Sequence, residues 1–126
     1  MPLLYRVAII EDNPSISDMY KLKLEKEGFD VAVAHDGASG YDLIKQFNPH
    51  VALVDIMMPK MSGDEMLKQV RKQPWGDKLR VIILTNISTE EAPDNLLKLD
   101  VSRYVVKASL TPQQVVDMVN EIIEKR

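Results

Sequence analysis

Val51-Ala-Leu-Val-Asp-Ile-Met-Met-Pro-Lys-Met-Ser-Gly63 is an apolar run that ends on one acid and then turns. The residues from Val51 to Val54 show no polar alternation, so a strand made from them must be covered on both faces, as in the centre of a parallel sheet. Asp55 falls where that strand runs out. In open α/β sheets, ligands collect in the crevice beyond the carboxyl ends of the strands, so the position favours chemistry over packing. The plain alternative is a carboxylate that only caps the following turn.

The flanking sequence supplies the rest of such a sheet. Upstream, Arg6-Val-Ala-Ile-Ile10 is a short β-branched run that breaks at Glu11-Asp-Asn-Pro14. Asn13 is placed to cap a helix with Pro14 at its first position, and Ile16, Met19, Tyr20 and Leu24 recur at helical spacing as far as Gly28. Asp30 to Ala34 reads as a second strand. After Asp36-Gly37, a helix turning Tyr41, Leu43, Ile44 and Phe47 inward stops at Asn48-Pro49. Downstream, Met58-Pro59 forbids an immediate helix, and Ser62-Gly-Asp-Glu65 has the pattern of a capping box ahead of Met66, Leu67 and Val70, closed by Pro74-Trp75-Gly76. Val81-Ile-Ile-Leu84 is another fully apolar strand, ending in Thr85-Asn86.

Pro93 would break the first turns of a helix opened by Ser88-Thr-Glu-Glu91, so a short helix beginning near Pro93 is expected. Arg103-Tyr-Val-Val-Lys107 predicts a fifth strand. Thr111-Pro-Gln-Gln114 is a second capping box, and its helix buries Val115, Val116, Val119, Ile122 and Ile123. Strand and helix alternate five times without internal repeat or low-complexity linker. The expectation is one α/β domain over residues 1–126, a doubly wound five-stranded parallel sheet with five helices on its two faces.

Composition narrows the function classes. The 126 residues are 45% hydrophobic and 28% charged, enough to bury a core in one domain of ordinary size. A net charge of -3, with the 16 Lys and Arg forming no long run, argues against direct nucleic-acid binding by this domain. The absence of Cys removes disulfides, thiolate metal sites and thiol nucleophiles, and suits a reducing compartment. His35 and His50 lack paired ligand spacing. No apolar segment approaches a membrane span, and the N-terminal Met-Pro-Leu-Leu-Tyr-Arg is too short for a signal peptide, so a soluble, cytoplasmic protein is expected.

The strand ends share one edge: Glu11 and Asp12, Asp55, Thr85 and Lys107. Clustered carboxylates repel one another unless a cation is present, and oxygen-only ligands suit Mg²⁺. A lysine and a hydroxyl at the same edge suit an anion, and together these groups fit a phosphoryl group on Asp55. A structural ion pair between the lysine and an acid is the alternative.

These residues resemble the signature of the receiver domain of bacterial two-component response regulators, and the likeness to the stand-alone chemotaxis regulators covers nearly the whole chain. Glu11-Asp12, the Asp55 to Gly63 turn, Thr85 and Lys107 occur in the family's order and with similar separations. The resemblance implies a flavodoxin-like fold with strand order 2-1-3-4-5. It also implies that Asp55 accepts a phosphoryl group from a histidine kinase or phosphotransfer protein. Asp12, Asp55 and the Met57 carbonyl would bind Mg²⁺, with Glu11 acting through water. Lys107, Thr85, the backbone of Asn86 and the switch aromatic Tyr104 would serve the phosphoryl group and its signal; Tyr104 as a mere core-edge residue is the other reading. Implied partners are a downstream protein, a tethered output domain, or a second copy bound through the fourth helix, fifth strand and fifth helix. Such a protein would not be an enzyme beyond its own phosphorylation and slow dephosphorylation.

The chain departs from the family at several positions. Ala108 stands where proline usually follows the lysine, and a trans Lys107-Ala108 bond is expected because a non-proline cis bond costs about 2.5–4 kcal/mol. Asn86 replaces a small residue, and Leu99-Asp-Val101 replaces the usual Gly-Ala before the last strand. Two other classes fit less well. A phosphatase with an aspartate nucleophile wants a second acid where this chain has Met57, and a nucleotide-binding module wants a glycine-rich loop where it has Glu11-Asp-Asn-Pro14. A receiver-like interaction module that is never phosphorylated would not need the full set of acids, Thr and Lys. Glu124-Lys-Arg126 is the expected start of a linker if the chain is part of a longer one.

Overall fold

The computed structural model describes residues 4–124; Lys125 and Arg126, the rest of the expected linker start, lie outside them. The strands are β1 (Arg6–Ile10), β2 (Asp30–Ala34), β3 (Val51–Val54), β4 (Arg80–Thr85) and β5 (Arg103–Val106), and the helices are α1 (Pro14–Lys26), α2 (Gly37–Phe47), α3 (Gly63–Arg71) and α4 (Pro112–Glu124). The sheet is parallel in the order β2-β1-β3-β4-β5, as the resemblance implies.

Period-two alternation divides the core between the two faces. Val7, Ile9, Val51, Leu53, Ile82 and Leu84 pack with Tyr20 and Leu24 of α1 and with the apolar stripe of α4. The residues between them, including Ala8, Ile10, Ala52, Val54, Val81 and Ile83, pack with Ile44 of α2 and with Met66, Leu67 and Val70 of α3. All of β3 is buried, which is why its sequence reads as an unbroken apolar run.

The helix starts follow local hydrogen bonding. Asn13 Oδ1 accepts from Ser15 N–H at 2.9 Å and Ile16 N–H at 3.3 Å, and Pro14 occupies the first helical turn. The box at Thr111 is reciprocal: Gln114 N–H donates to Thr111 Oγ1 at 3.2 Å, and Thr111 N–H to Gln114 Oε1 at 2.8 Å. The expected box at Ser62 does not form. Ser62 is the N-cap by backbone, but its side chain makes no capping bond to Glu65 N–H, the donor a box would satisfy; the Ile56 carbonyl accepts from a different donor, Gly63 N–H, at 2.8 Å.

The expected five helices are four among the described residues. Where the short helix near Pro93 was expected, two 3-10 turns occur, Thr89–Glu91 and Asp94–Lys98. Proline excludes the α conformation from the residue before it, and Ala92 is extended at φ -61, ψ 145. Leu96 N–H then donates to the Pro93 carbonyl at 3.1 Å and Leu99 N–H to that of Leu96 at 3.0 Å, the tighter pattern. Leu99 and Val101 are partly buried against the core.

The Arg71 guanidinium anchors this connection. It donates to the carbonyls of Leu99 at 2.8 Å, Gly76 at 3.0 Å, Leu79 at 2.6 Å and Asp100 at 2.9 Å, tying the end of α3 to the approaches of β4 and β5. Burial lowers its pKa below the usual range of an arginine.

Candidate functional site

Parallel pairing in register carries the ends of β1 and β3 to the same level: Ile10 lies opposite Val54, and Asp55 N–H donates to the Ile10 carbonyl at 3.0 Å. Glu11 and Asp55 therefore emerge side by side, both buried. Lys107, just past β5, reaches between them. Its Nζ donates to Asp55 Oδ2 at 2.9 Å and also to Glu11 Oε1. Asn13 N–H donates to Glu11 Oε2 at 3.1 Å and Met57 N–H to Asp55 Oδ1 at 3.3 Å, so backbone donors steady both carboxylates from the loops. Gly63 permits this geometry, because a Cβ there would lie 2.0 Å from the Asp55 carbonyl oxygen.

Asp12 is exposed at the rim, and one carboxylate oxygen each from Glu11, Asp12 and Asp55 fall within 4.8 Å of one another. An open groove of about 400 Å³ beside them is lined by Asp12, Ile56, Met57, Met58, Pro59 and Ser62. A somewhat larger hollow of about 490 Å³ sits among Pro49, Trp75, Lys78 and Arg80, far along the sheet from these acids.

Loss of water is the largest influence on Glu11 and pushes its pKa above the ordinary 4.5, against the hydrogen bonds from Lys107 and Asn13. Burial alone would lower that of Lys107, but its bonds to Glu11 and Asp55 outweigh burial and hold it above 10.5. The two directions oppose each other within one contact. A charged lysine is the firmer of them, since two carboxylates accept from it. Three acids and one ammonium leave a net of two negative charges in the cluster, and the donors are all oxygens; both properties fit a small divalent cation such as Mg²⁺.

The other expected residues stand around this centre in different states. Thr85 is buried, and its Oγ1 accepts from Ile87 N–H at 3.5 Å. Asn86 is exposed at the start of the following connection. Tyr104 is half-buried, and its hydroxyl donates to the Ile87 carbonyl at 2.7 Å, with Ser88 O at 3.4 Å. Burial, with the Asp55 and Glu91 charges, raises its pKa above 10.0. The structure thus joins Glu11, Asp55 and Lys107 directly and leaves Thr85 and Tyr104 bonded to the chain beyond β4. The Lys107-Ala108 bond is trans, as expected.

The sequence placed Lys107 on the same edge as the acids, but not its division between Glu11, 96 positions away, and Asp55. His35, assigned no role, places Nδ1 2.9 Å from the Glu11 carbonyl, and because a carbonyl only accepts, that nitrogen carries the proton.

A parallel sheet of this order with acids and a lysine at its carboxyl edge belongs to a recognisable class, and comparison with known proteins makes the class definite. Residues 7–120 match the response regulator receiver domain family, and the chain belongs to that family. It is 34% identical over 120 residues to the hybrid signal transduction histidine kinase D of Dictyostelium discoideum; the match covers 95% of this chain and 8% of that much longer protein. Among solved structures, a CheY-like response regulator receiver domain protein from Methanospirillum hungatei superposes with a TM-score of 0.87 at 27% identity, covering 98% of this chain and 96% of the other. The receiver domain of Francisella response regulator 1452 gives 0.85 at 30% identity, covering 96% and 98%.

Proposed function

We propose that the chain accepts a phosphoryl group on Asp55 from a phosphohistidine of a histidine kinase or phosphotransfer protein, and that the resulting change of packing is read by a partner protein. The observation that carries this reading is the buried Asp55 carboxylate held by Lys107 at 2.9 Å beside two further acids. A structural carboxylate would need only the lysine.

In the transfer, a carboxylate oxygen of Asp55 forms a bond to phosphorus as the phosphorus–nitrogen bond of the donor breaks, and the electron pair of that bond returns to the imidazole. Asp12, Asp55, the Met57 carbonyl and Glu11 through water are the groups that would hold Mg²⁺, which supplies charge neutralisation for the phosphoryl oxygens. Lys107 exchanges a carboxylate for a phosphoryl oxygen, keeping its ammonium paired throughout. Thr85 turns its hydroxyl from Ile87 toward the new anion, and Tyr104 moves into the space left. The position two residues after Asp55, where a phosphatase of this type carries its second acid, is Met57, and this favours an acyl phosphate that turns over slowly.

Intact-mass measurement after incubation with acetyl phosphate and Mg²⁺ tests this. The parent gains one phosphoryl mass that is lost in mild base, and Asp55→Asn gains none. A full shift in Asp55→Asn excludes the assignment, and no shift in the parent favours an interaction module that is never phosphorylated.

A further inference from the structure

Tyr20 belongs to the apolar stripe of α1 and is only 4% exposed, yet one end of it is polar. It lines a small cavity with Ile9, Leu53 and Leu84, and Glu11 and Asp55 form part of the same wall. The volume is about 10 Å³, which is room for one water molecule. The Tyr20 hydroxyl is a hydrogen-bond donor, and the Glu11 and Asp55 carboxylates that line the same cavity are acceptors.

Both carboxylates have capacity to spare. Glu11 accepts from Lys107 on one oxygen and from Asn13 N–H on the other, and Asp55 accepts from Lys107 and, at 3.3 Å, from Met57 N–H. Each carboxylate oxygen has two lone pairs, so one such bond per oxygen leaves half the acceptor sites. Burial is the main influence raising the Tyr20 pKa above 10.0, with Lys107 and Glu11 acting in opposite senses, so the hydroxyl keeps its proton and feels both charges.

We propose that Tyr20 is a positioning residue of the acid site: its hydroxyl donates to a single water in this cavity, and that water donates to Glu11 and Asp55, fixing both carboxylates from the core side. The role deepens the phosphoacceptor reading and rests on it for its consequence. A nucleophile held from the core, and not only by mobile loops, spends more of its time in the attacking geometry.

The variant is Tyr20→Phe, which keeps the ring and its packing. At saturating Mg²⁺, its rate of phosphorylation by acetyl phosphate falls about three- to tenfold, the effect of losing one hydrogen bond. A high-resolution crystal structure of the parent shows an ordered water within hydrogen-bonding distance of the Tyr20 oxygen and both carboxylates, and in Tyr20→Phe that water is lost or displaced. A tyrosine that only fills the core would alter the melting temperature and move neither readout. A dry cavity in the parent, or a Tyr20→Phe rate within about twofold of the parent, overturns the proposal. Should the parent take no phosphoryl group, the receiver reading fails while the crystallographic arm still decides the Tyr20 contact.

Discussion

At the residue scale, Lys107 holds the site together, since both of its hydrogen-bonded partners are buried acids. Lys107→Met leaves Glu11 and Asp55 facing each other without a cation, and breaking a buried ion pair typically costs about 3–5 kcal/mol. We expect urea unfolding at pH 7 to show a loss of that order, partly restored by Mg²⁺. The linkage sign follows from the raised Lys107 pKa: its contribution is fully present below 10.5 and is lost as pH rises above that value, so parent stability falls in alkali more steeply than that of Lys107→Met. Gly63→Ala is the steric counterpart. Its Cβ meets the Asp55 carbonyl at 2.0 Å, overpacking of a kind that costs about 1–3 kcal/mol, and both melting temperature and phosphorylation rate should drop. The acids, Thr85 and Lys107 were legible because each ends an apolar strand. A lysine–acid pair at that edge was legible too, but that Lys107 takes Glu11 as well as Asp55, and that Tyr20 of α1 lines a cavity with both acids, depends on packing that only the folded sheet brings about.

At the scale of elements, the sequence is a good guide wherever a residue acts on its near neighbours. The caps at Asn13 and Thr111 form as the pattern predicts, and Asn13→Ala should lower stability by about 0.5–2 kcal/mol in denaturant titration. Ser62 shows the limit of the same rule: its box pattern is intact, yet its side chain makes no capping bond, and the backbone bond that fixes this end of α3 goes from Gly63 N–H to the Ile56 carbonyl. Pro93 was correctly seen to disturb the stretch after β4, yet the outcome, two 3-10 turns instead of a helix, depends on hydrogen bonds that a proline-based rule does not specify. Arg71 gave no signal at all, being one more basic residue near a helix end. Arg71→Met removes donors from the carbonyls of Gly76, Leu79, Leu99 and Asp100, and at about 0.5–1.5 kcal/mol per hydrogen bond the loss should reach roughly 2 kcal/mol or more in the same titration.

For the whole molecule, the proposed function requires the sheet to transmit a change at its carboxyl edge. Thr85 and Tyr104 both bond to Ile87, at the start of the connection that carries the two 3-10 turns, so drawing the Thr85 hydroxyl toward Asp55 releases one of two local ties. A connection built of short turns has fewer bonds to break than a regular helix. Allosteric couplings are typically about 1–3 kcal/mol, so the expected response is a population shift of roughly 5- to 150-fold within one fold. Amide NMR with beryllofluoride as a phosphoryl mimic should move resonances from residues 86–106 and into α4; shifts confined to the Asp55 pocket would contradict the switch. The claim on which all of this depends is that Asp55 itself carries the phosphoryl group. Borohydride reduction of the acetyl phosphate-treated protein, followed by peptide sequencing in a mass spectrometer, reads the position directly. Homoserine at position 55 and nowhere else is the expected result; an unmodified Asp55 with reduction at position 12 or any other acid would contradict the account.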